Sequence, residues 1–246
     1  MELKRDNKIT LLVSDCCNLR CSQCLACCNI SSVNKFLNKN DINNLCSDIK
    51  QSGHKFTQLV ISGGEPMLNP EIMEIINILI ASNLAKEYQM MTNGTINKCL
   101  ITEIEKKIKI VNSHKTLEEP YQSNHMSLYT VAPIDINLFG ERPLENCFLL
   151  KYCGIGYSRG GFYPCVVAPV IGRIFGINGI RYWKDVDNAN MVKLLWQTCR
   201  YCGYYLGQTN GTNCDLLPKY KYPSSMITDS WKKALEWYNN LPKDQK

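Results

Sequence analysis

Apolar and polar positions follow two periods along the first half of the chain. Ile9-Thr10-Leu11-Leu12-Val13 is a short apolar run of strand length, and Phe56 to Ile61, Tyr88 to Met91 and Ile108 to Val111 are three more. Between them the period lengthens to that of a helix. Ile42, Leu45, Cys46 and Ile49 stand on one helical face, and Gly53 follows as a stop. Pro70 opens a second helix whose Ile72, Ile75, Ile76 and Leu79 make one apolar stripe. A third, around Ile101 to Lys107, leads into the fourth strand. This alternation over residues 8 to about 135 predicts an α/β architecture of parallel strands with crossover helices. Only about twenty residues separate the fourth strand from the next strand-like run, Leu128 to Ile134. An abbreviated sheet with poorly formed late strands is therefore expected.

The pattern changes from about residue 145, where Cys, Gly and aromatic residues dominate. Cys153 to Cys165 reads as a β-hairpin turning at Arg159-Gly160-Gly161, where adjacent glycines supply positive φ at little cost. A helix from Asn190 to Trp196 then runs into Cys199-Arg200-Tyr201-Cys202. The boundary expected is 1–140 for the α/β part and 141–246 for the cysteine-rich part with its C-terminal helix.

Composition narrows the chemistry. The 246 residues include 14 cysteines, more than core packing uses. The N-terminus has no apolar stretch behind its charges, and no run is long and apolar enough to span a membrane. A cytoplasmic protein is expected, so its cysteines point to metal binding and not to disulfides. The net charge of +6 gathers partly at the chain ends, and no basic stripe with interleaved aromatics argues for nucleic acid.

The candidate chemistry begins at the end of the first strand. Cys17, Cys21 and Cys24 form C-x3-C-x2-C. Three thiolates on one tight loop can hold three corners of a cubane iron–sulfur cluster, which leaves one iron open. Two further motifs end later strands: Gly63-Gly64-Glu65-Pro66 and Thr92-Asn93-Gly94-Thr95. Zinc is the alternative for a thiolate loop, but it gives these two motifs no part.

The three motifs together resemble the radical S-adenosylmethionine (radical SAM) enzymes. The resemblance implies a partial parallel β/α barrel followed by a small cysteine-rich α+β domain. It implies a SAM-binding 4Fe-4S cluster on Cys17, Cys21 and Cys24. It gives Gly63, Gly64, Glu65 and Pro66 to the amino group of SAM, and puts Thr92 and Asn93 near its ribose and methionine parts. Gln23 departs from the pattern, standing where many members carry an aromatic residue.

The late cysteines resemble the auxiliary-cluster domain called twitch, the short relative of SPASM. Cys147, Cys165, Cys199 and Cys202 are the ligands this implies for a second 4Fe-4S cluster, with a four-thiolate zinc site as the alternative. Cys147 is favoured over Cys153, which lies too near Gly160 for the family spacing. Only Cys214 remains downstream, so one auxiliary cluster is expected. Cys153 and Cys28 are candidate hydrogen-atom donors, and His114, beside Lys115, is a candidate group reaching SAM or substrate. Arg142 and Arg159 are candidates for an anionic substrate group or a proton acceptor, against a surface role.

The reaction implied is reductive cleavage of SAM to a 5′-deoxyadenosyl radical, which takes hydrogen from a substrate carbon. The expected partners are a substrate and an external one-electron reductant of flavodoxin or ferredoxin type. Oxidation or epimerisation of a small molecule, a sugar or aminocyclitol, is the reading preferred. Modification of a ribosomally made peptide and activation of a glycyl-radical enzyme are the enzymatic alternatives. A purely electron-transferring iron–sulfur module would make no use of the Gly63–Pro66 turn.

Overall fold

The computed structural model describes residues 2–3, 6–21, 24–112, 147–202, 228–242 and 244–246. The expected strand 128–134, the 140/141 boundary, His114, Lys115, His125, Arg142, Cys214 and Gln23 lie outside these residues. Strand β1 (Lys8–Ser14) is followed by α1 (Lys39–Gln51), β2 (Phe56–Gly63), α2 (Ile72–Ser82), β3 (Ala85–Thr92), α3 (Lys98–Glu105) and β4 (Lys109–Asn112). After 146 come a short helix α4 (Phe148–Tyr152), the hairpin β5 (Ile155–Ser158) and β6 (Gly161–Tyr163), α5 (Ala168–Phe175), α6 (Asn188–Cys199) and α7 (Asp229–Asn240).

The strands form one sheet in the order β4-β3-β2-β1-β5-β6. All neighbours are parallel except the β5–β6 hairpin. This is an abbreviated β/α barrel with a cysteine-rich α+β region. The first four strands and three helices follow the predicted alternation. The hairpin adds a fact the pattern did not show: β5 pairs with the second edge of β1, Ile9 opposite Ile155 and Leu11 opposite Tyr157. Because β5 runs parallel to β1, its Arg159-Gly160 turn lies at the same sheet edge as the end of β1.

Alternation along β1 divides the core. Ile9, Leu11 and Val13 pack with Ile42, Leu45 and Ile49 of α1 and Ile72, Ile75, Ile76 and Leu79 of α2. Leu12 points to the opposite face, where it joins Val170, Ile171 and Ile174 of α5, Leu194 and Leu195 of α6, and Trp231 of α7. Helix α1 starts with a capping box in which Asn38 accepts from the amides of Asn40 and Asp41, and Asp41 accepts from that of Asn38. Helix α2 begins at Ile72, two residues later than expected, because Asn69 accepts from the Glu71 amide and Pro66–Leu68 form a separate 3₁₀ turn. Helix α5 was not foreseen. Its Pro169 and Gly172 read as breaks in a helical pattern.

Candidate functional site

The loop after β1 is built on main-chain contacts. Ser14 Oγ donates to the Cys16 carbonyl at 2.8 Å and accepts from the Cys16 amide at 3.1 Å. The amide of Leu19 donates to Cys17 Sγ and that of Cys28 to Cys24 Sγ, each at 3.4 Å. Such N–H to sulfur bonds favour the thiolate, the form that binds iron. Burial works the other way and pushes the Cys17 thiol up to about 11, aided by its neighbours Cys24 and Cys21. Binding iron must therefore displace a proton from a thiol that keeps it at neutral pH.

The turn after β2 is stitched to this loop. The Gly64 amide donates to the Ser14 carbonyl at 2.7 Å, and that of Glu65 to the Cys16 carbonyl at 2.8 Å. Gly63 adopts φ 135°, and a Cβ there would stand 2.4 Å from the Ser14 oxygen. A Cβ on Gly64 would stand 2.2 Å from the Cys16 oxygen and 2.8 Å from Cys28 Sγ. Two glycines are needed because the backbones touch.

Glu65 is fully buried. Its carboxylate accepts from the Met67 amide at 3.0 Å, the Thr92 hydroxyl at 2.8 Å and the Asn93 amide at 2.7 Å. A buried charge needs this satisfaction to be tolerated. The side chain thus braces the turn against the end of β3.

Asn93 closes the network. Its Nδ2 donates to Asn18 Oδ1 at 2.9 Å and lies 3.8 Å from Cys17 Sγ, while its Oδ1 accepts from the Thr95 amide and hydroxyl. Asn18 Nδ2 donates to Thr95 Oγ1 at 2.8 Å. Asn18, in the cysteine loop, is the tie between two motifs. Asn69 does similar work one layer below: its buried Nδ2 donates to the carbonyls of Val13 and Leu37. Neither role carries a sequence signal, because each depends on which strand ends become neighbours.

Cys28 is buried beside Gly64, with its Sγ facing the carbonyls of Asp15 and Ala26. It packs the loop. Cys153 accepts at its carbonyl from Thr10 Oγ1, and Lys8 is among the charges it feels. It therefore sits near the start of β1, away from the Cys17 loop, which follows the strand's end. Burial pushes its thiol up to about 11. Asp15 forms ion pairs with Arg159 at 3.2 Å and Arg173 at 3.7 Å.

The second cysteine set comes from four places. Cys147 precedes α4, Cys165 follows β6, Cys199 ends α6 and Cys202 lies just beyond it. All four line one cavity, walled mainly by apolar residues such as Leu149, Leu150, Val167 and Ala168, with Thr198, whose hydroxyl donates to the Leu194 carbonyl. Cys153 is not in that wall. Burial raises the Cys165 thiol far above its ordinary value, and Cys147 and Cys202 add to the rise. Four soft sulfur donors are the ligand type of an iron–sulfur cluster or of zinc. Among the described residues, no group of three or more Cys, His, Asp or Glu side chains stands close enough to hold a single metal ion.

Comparison with known proteins bears on the first half of the chain and on the fold. Residues 6–128 match the family described as 4Fe-4S single cluster domain. Among solved structures, BtrN in complex with AdoMet and 2-DOIA matches with a TM-score of 0.55 and 14% identity, over 90% of this chain and 98% of BtrN. An open conformation of BtrN matches with a TM-score of 0.51 and 15% identity, over 93% of this chain and 98% of that one. Streptococcus suis SuiB bound to precursor peptide SuiA matches with a TM-score of 0.38 and 21% identity, over 48% of this chain. That match spans 26% of SuiB, about a quarter of its length. No curated protein matches. The sheet, the three-cysteine loop and the turn bound to it define the radical SAM class of enzymes. Within it the chain belongs to the 4Fe-4S single cluster domain family, whose match covers half of its length.

Proposed function

We propose that this chain uses SAM to oxidise a small molecule of the sugar or aminocyclitol class. The observation that carries the reading is the network through Glu65 and Asn93, which joins the cysteine loop and both later motifs. Cys17, Cys21 and Cys24 would hold the SAM-binding cluster. When bound, that cluster supplies one electron to SAM, releasing a 5′-deoxyadenosyl radical that takes a hydrogen atom from a substrate carbon. The carbonyls of the Gly63–Glu65 turn would receive the amino group of SAM, with Glu65 keeping the turn in shape. Asn93 and Asn18 would keep the loop and the β3 end in register, so that the reactants are held at one distance.

A second 4Fe-4S cluster on Cys147, Cys165, Cys199 and Cys202 is part of the proposal. Its support is the single cavity that these four thiols line. When bound, it supplies an acceptor for the electron that remains after the substrate radical loses a proton. Oxidation is preferred to epimerisation because the second cluster would give the substrate radical an electron acceptor. The small-molecule class follows BtrN, whose fold this chain shares over most of both lengths. A flavodoxin- or ferredoxin-type reductant completes the scheme. Among the described residues no helix is long and apolar enough to cross a membrane, and a cytoplasmic setting is proposed.

The test is anaerobic. Reconstituted protein with dithionite and SAM should yield 5′-deoxyadenosine, and Cys17→Ala should yield none. Deuterated aminocyclitols and sugars should pass deuterium into that product. Deuterium arriving only from a peptide would contradict the substrate class, and no cleavage in the wild type would contradict the chemistry.

A further inference from the structure

Asp15 leaves β1 two residues before Cys17. Its carboxylate lies between two guanidinium groups, with Arg159 Nη2 at 3.2 Å from Oδ2 and Arg173 Nε at 3.7 Å from Oδ1. Arg159 Nη2 also donates to the Lys246 main-chain oxygen, so its charge is shared with a second acceptor. The two arginines differ in setting. The Arg159 side chain is 33% exposed, whereas that of Arg173 is 11% exposed.

Arg173 is also the better tethered. It donates from Nη2 to the Ser31 carbonyl at 3.0 Å and from Nη1 to the Tyr238 hydroxyl at 3.2 Å, and its guanidinium lies 5.5 Å from the Tyr238 ring. Its Nε is buried with no hydrogen-bond acceptor, so charge alone holds that atom toward Asp15. Ser31 belongs to the loop that carries the cysteines, and Arg173 belongs to α5, just after Cys165. Arg173 is joined to the loop through Ser31, whose carbonyl accepts from Arg173 Nη2 and whose amide donates to the Cys27 carbonyl at 2.8 Å.

An iron–sulfur cluster on three thiolates gains negative charge on reduction, and nearby positive charge favours the reduced form. A buried charge acts more strongly than an exposed one, since water and salt screen it less. We propose that Arg173 sets the electron affinity of the cluster held by Cys17, Cys21 and Cys24, its buried positive charge favouring reduction. The inference rests on the cluster assignment and makes Arg173 a positioning and tuning residue, contributed by the cysteine-rich half to a site on the sheet.

The experiment is a redox titration of the anaerobically reconstituted full chain, followed by electron paramagnetic resonance. The primary signal is the one lost in Cys17→Ala. Arg173→Met should lower the reduced-to-oxidised ratio at fixed potential about tenfold, which is about 59 mV for one electron. Arg159→Met should lower it less than about threefold. Asp15→Asn should raise it, and Arg173→Lys should stay within about threefold of the wild type. Arg173→Met that keeps its iron and shifts no more than Arg159→Met overturns the proposal. Should Arg173→Met lose its iron, Asp15→Asn decides: a ratio unchanged or lowered also overturns it. A wild-type chain that takes up no cluster overturns the cluster assignment as well, and so separates the two failures.

Discussion

The two cysteine sets are held by opposite means. Around Cys17, Cys21 and Cys24 the scaffold is polar: amides donate to sulfur, two glycines admit backbone contact, and Glu65, Asn93 and Asn18 tie three strand ends together. Around Cys147, Cys165, Cys199 and Cys202 the scaffold is apolar, and helix ends and a hairpin bring the thiols to a cavity walled by Leu, Val and Ala. A directional network fixes ligand positions while one side stays open to a reactant. An apolar wall excludes water and favours the protonated thiol, so this site gains most from metal that displaces those protons. The first design leaves a side open for the proposed chemistry, and the second encloses the place proposed for the second cluster.

The comparison can be broken from the polar side first. Glu65→Ala should cost about 3 kcal/mol or more in a denaturant melt, because it strands buried donors from Met67, Thr92 and Asn93. Glu65→Gln, keeping one carbonyl oxygen, should cost less. Gly64→Ala should cost about 2 kcal/mol and lower iron retention, since its Cβ would press on the Cys16 carbonyl. A melt unchanged in both would mean that the network is incidental.

On the apolar side the expected effect is on metal and not on fold. Cys165→Ser should lose about four irons per chain after reconstitution, whereas Cys153→Ser should lose none. Equal losses would put Cys153 in the cage and dissolve the distinction drawn from the cavity wall.

The smallest effect concerns the shared sheet. Burial pushes the Tyr157 phenol up to about 12, with Asp41 and Asp48 adding to the rise. A group raised in the folded state contributes full stability below its unfolded value, near 10, and loses it as pH climbs toward 12. The wild type should therefore lose about 1 kcal/mol more than Tyr157→Phe between pH 10 and 12 in paired thermal melts. Identical slopes would contradict the burial of that ring.

Much of this was legible because the informative residues are local. Strands β1 to β4 and the faces of α1 and α2 follow from runs and spacings within a dozen residues. The three motifs could be found because each ends a strand. What could not be read is long-range. The pairing of β5 with β1 joins residues far apart in sequence, and nothing in Ile155-Gly156-Tyr157 names its partner. The work of Asn18, Asn69 and Arg173 appears only once the strand ends are neighbours. Helix α5 was hidden by Pro169, tolerated in the first turn, and by Gly172, where a Cβ would stand 2.6 Å from the Tyr163 ring. Both look like breaks in a sequence and are accommodations in the fold.

The most direct measurement is iron per chain, with the resonance spectrum, after anaerobic reconstitution of the variant in which Cys17, Cys21 and Cys24 are all Ala. Two independently built sites predict that about four irons remain, with a reduced-cluster signal that SAM does not alter. Iron near zero would mean that the apolar cysteines hold no cluster of their own, and the contrast between the two regions would fall.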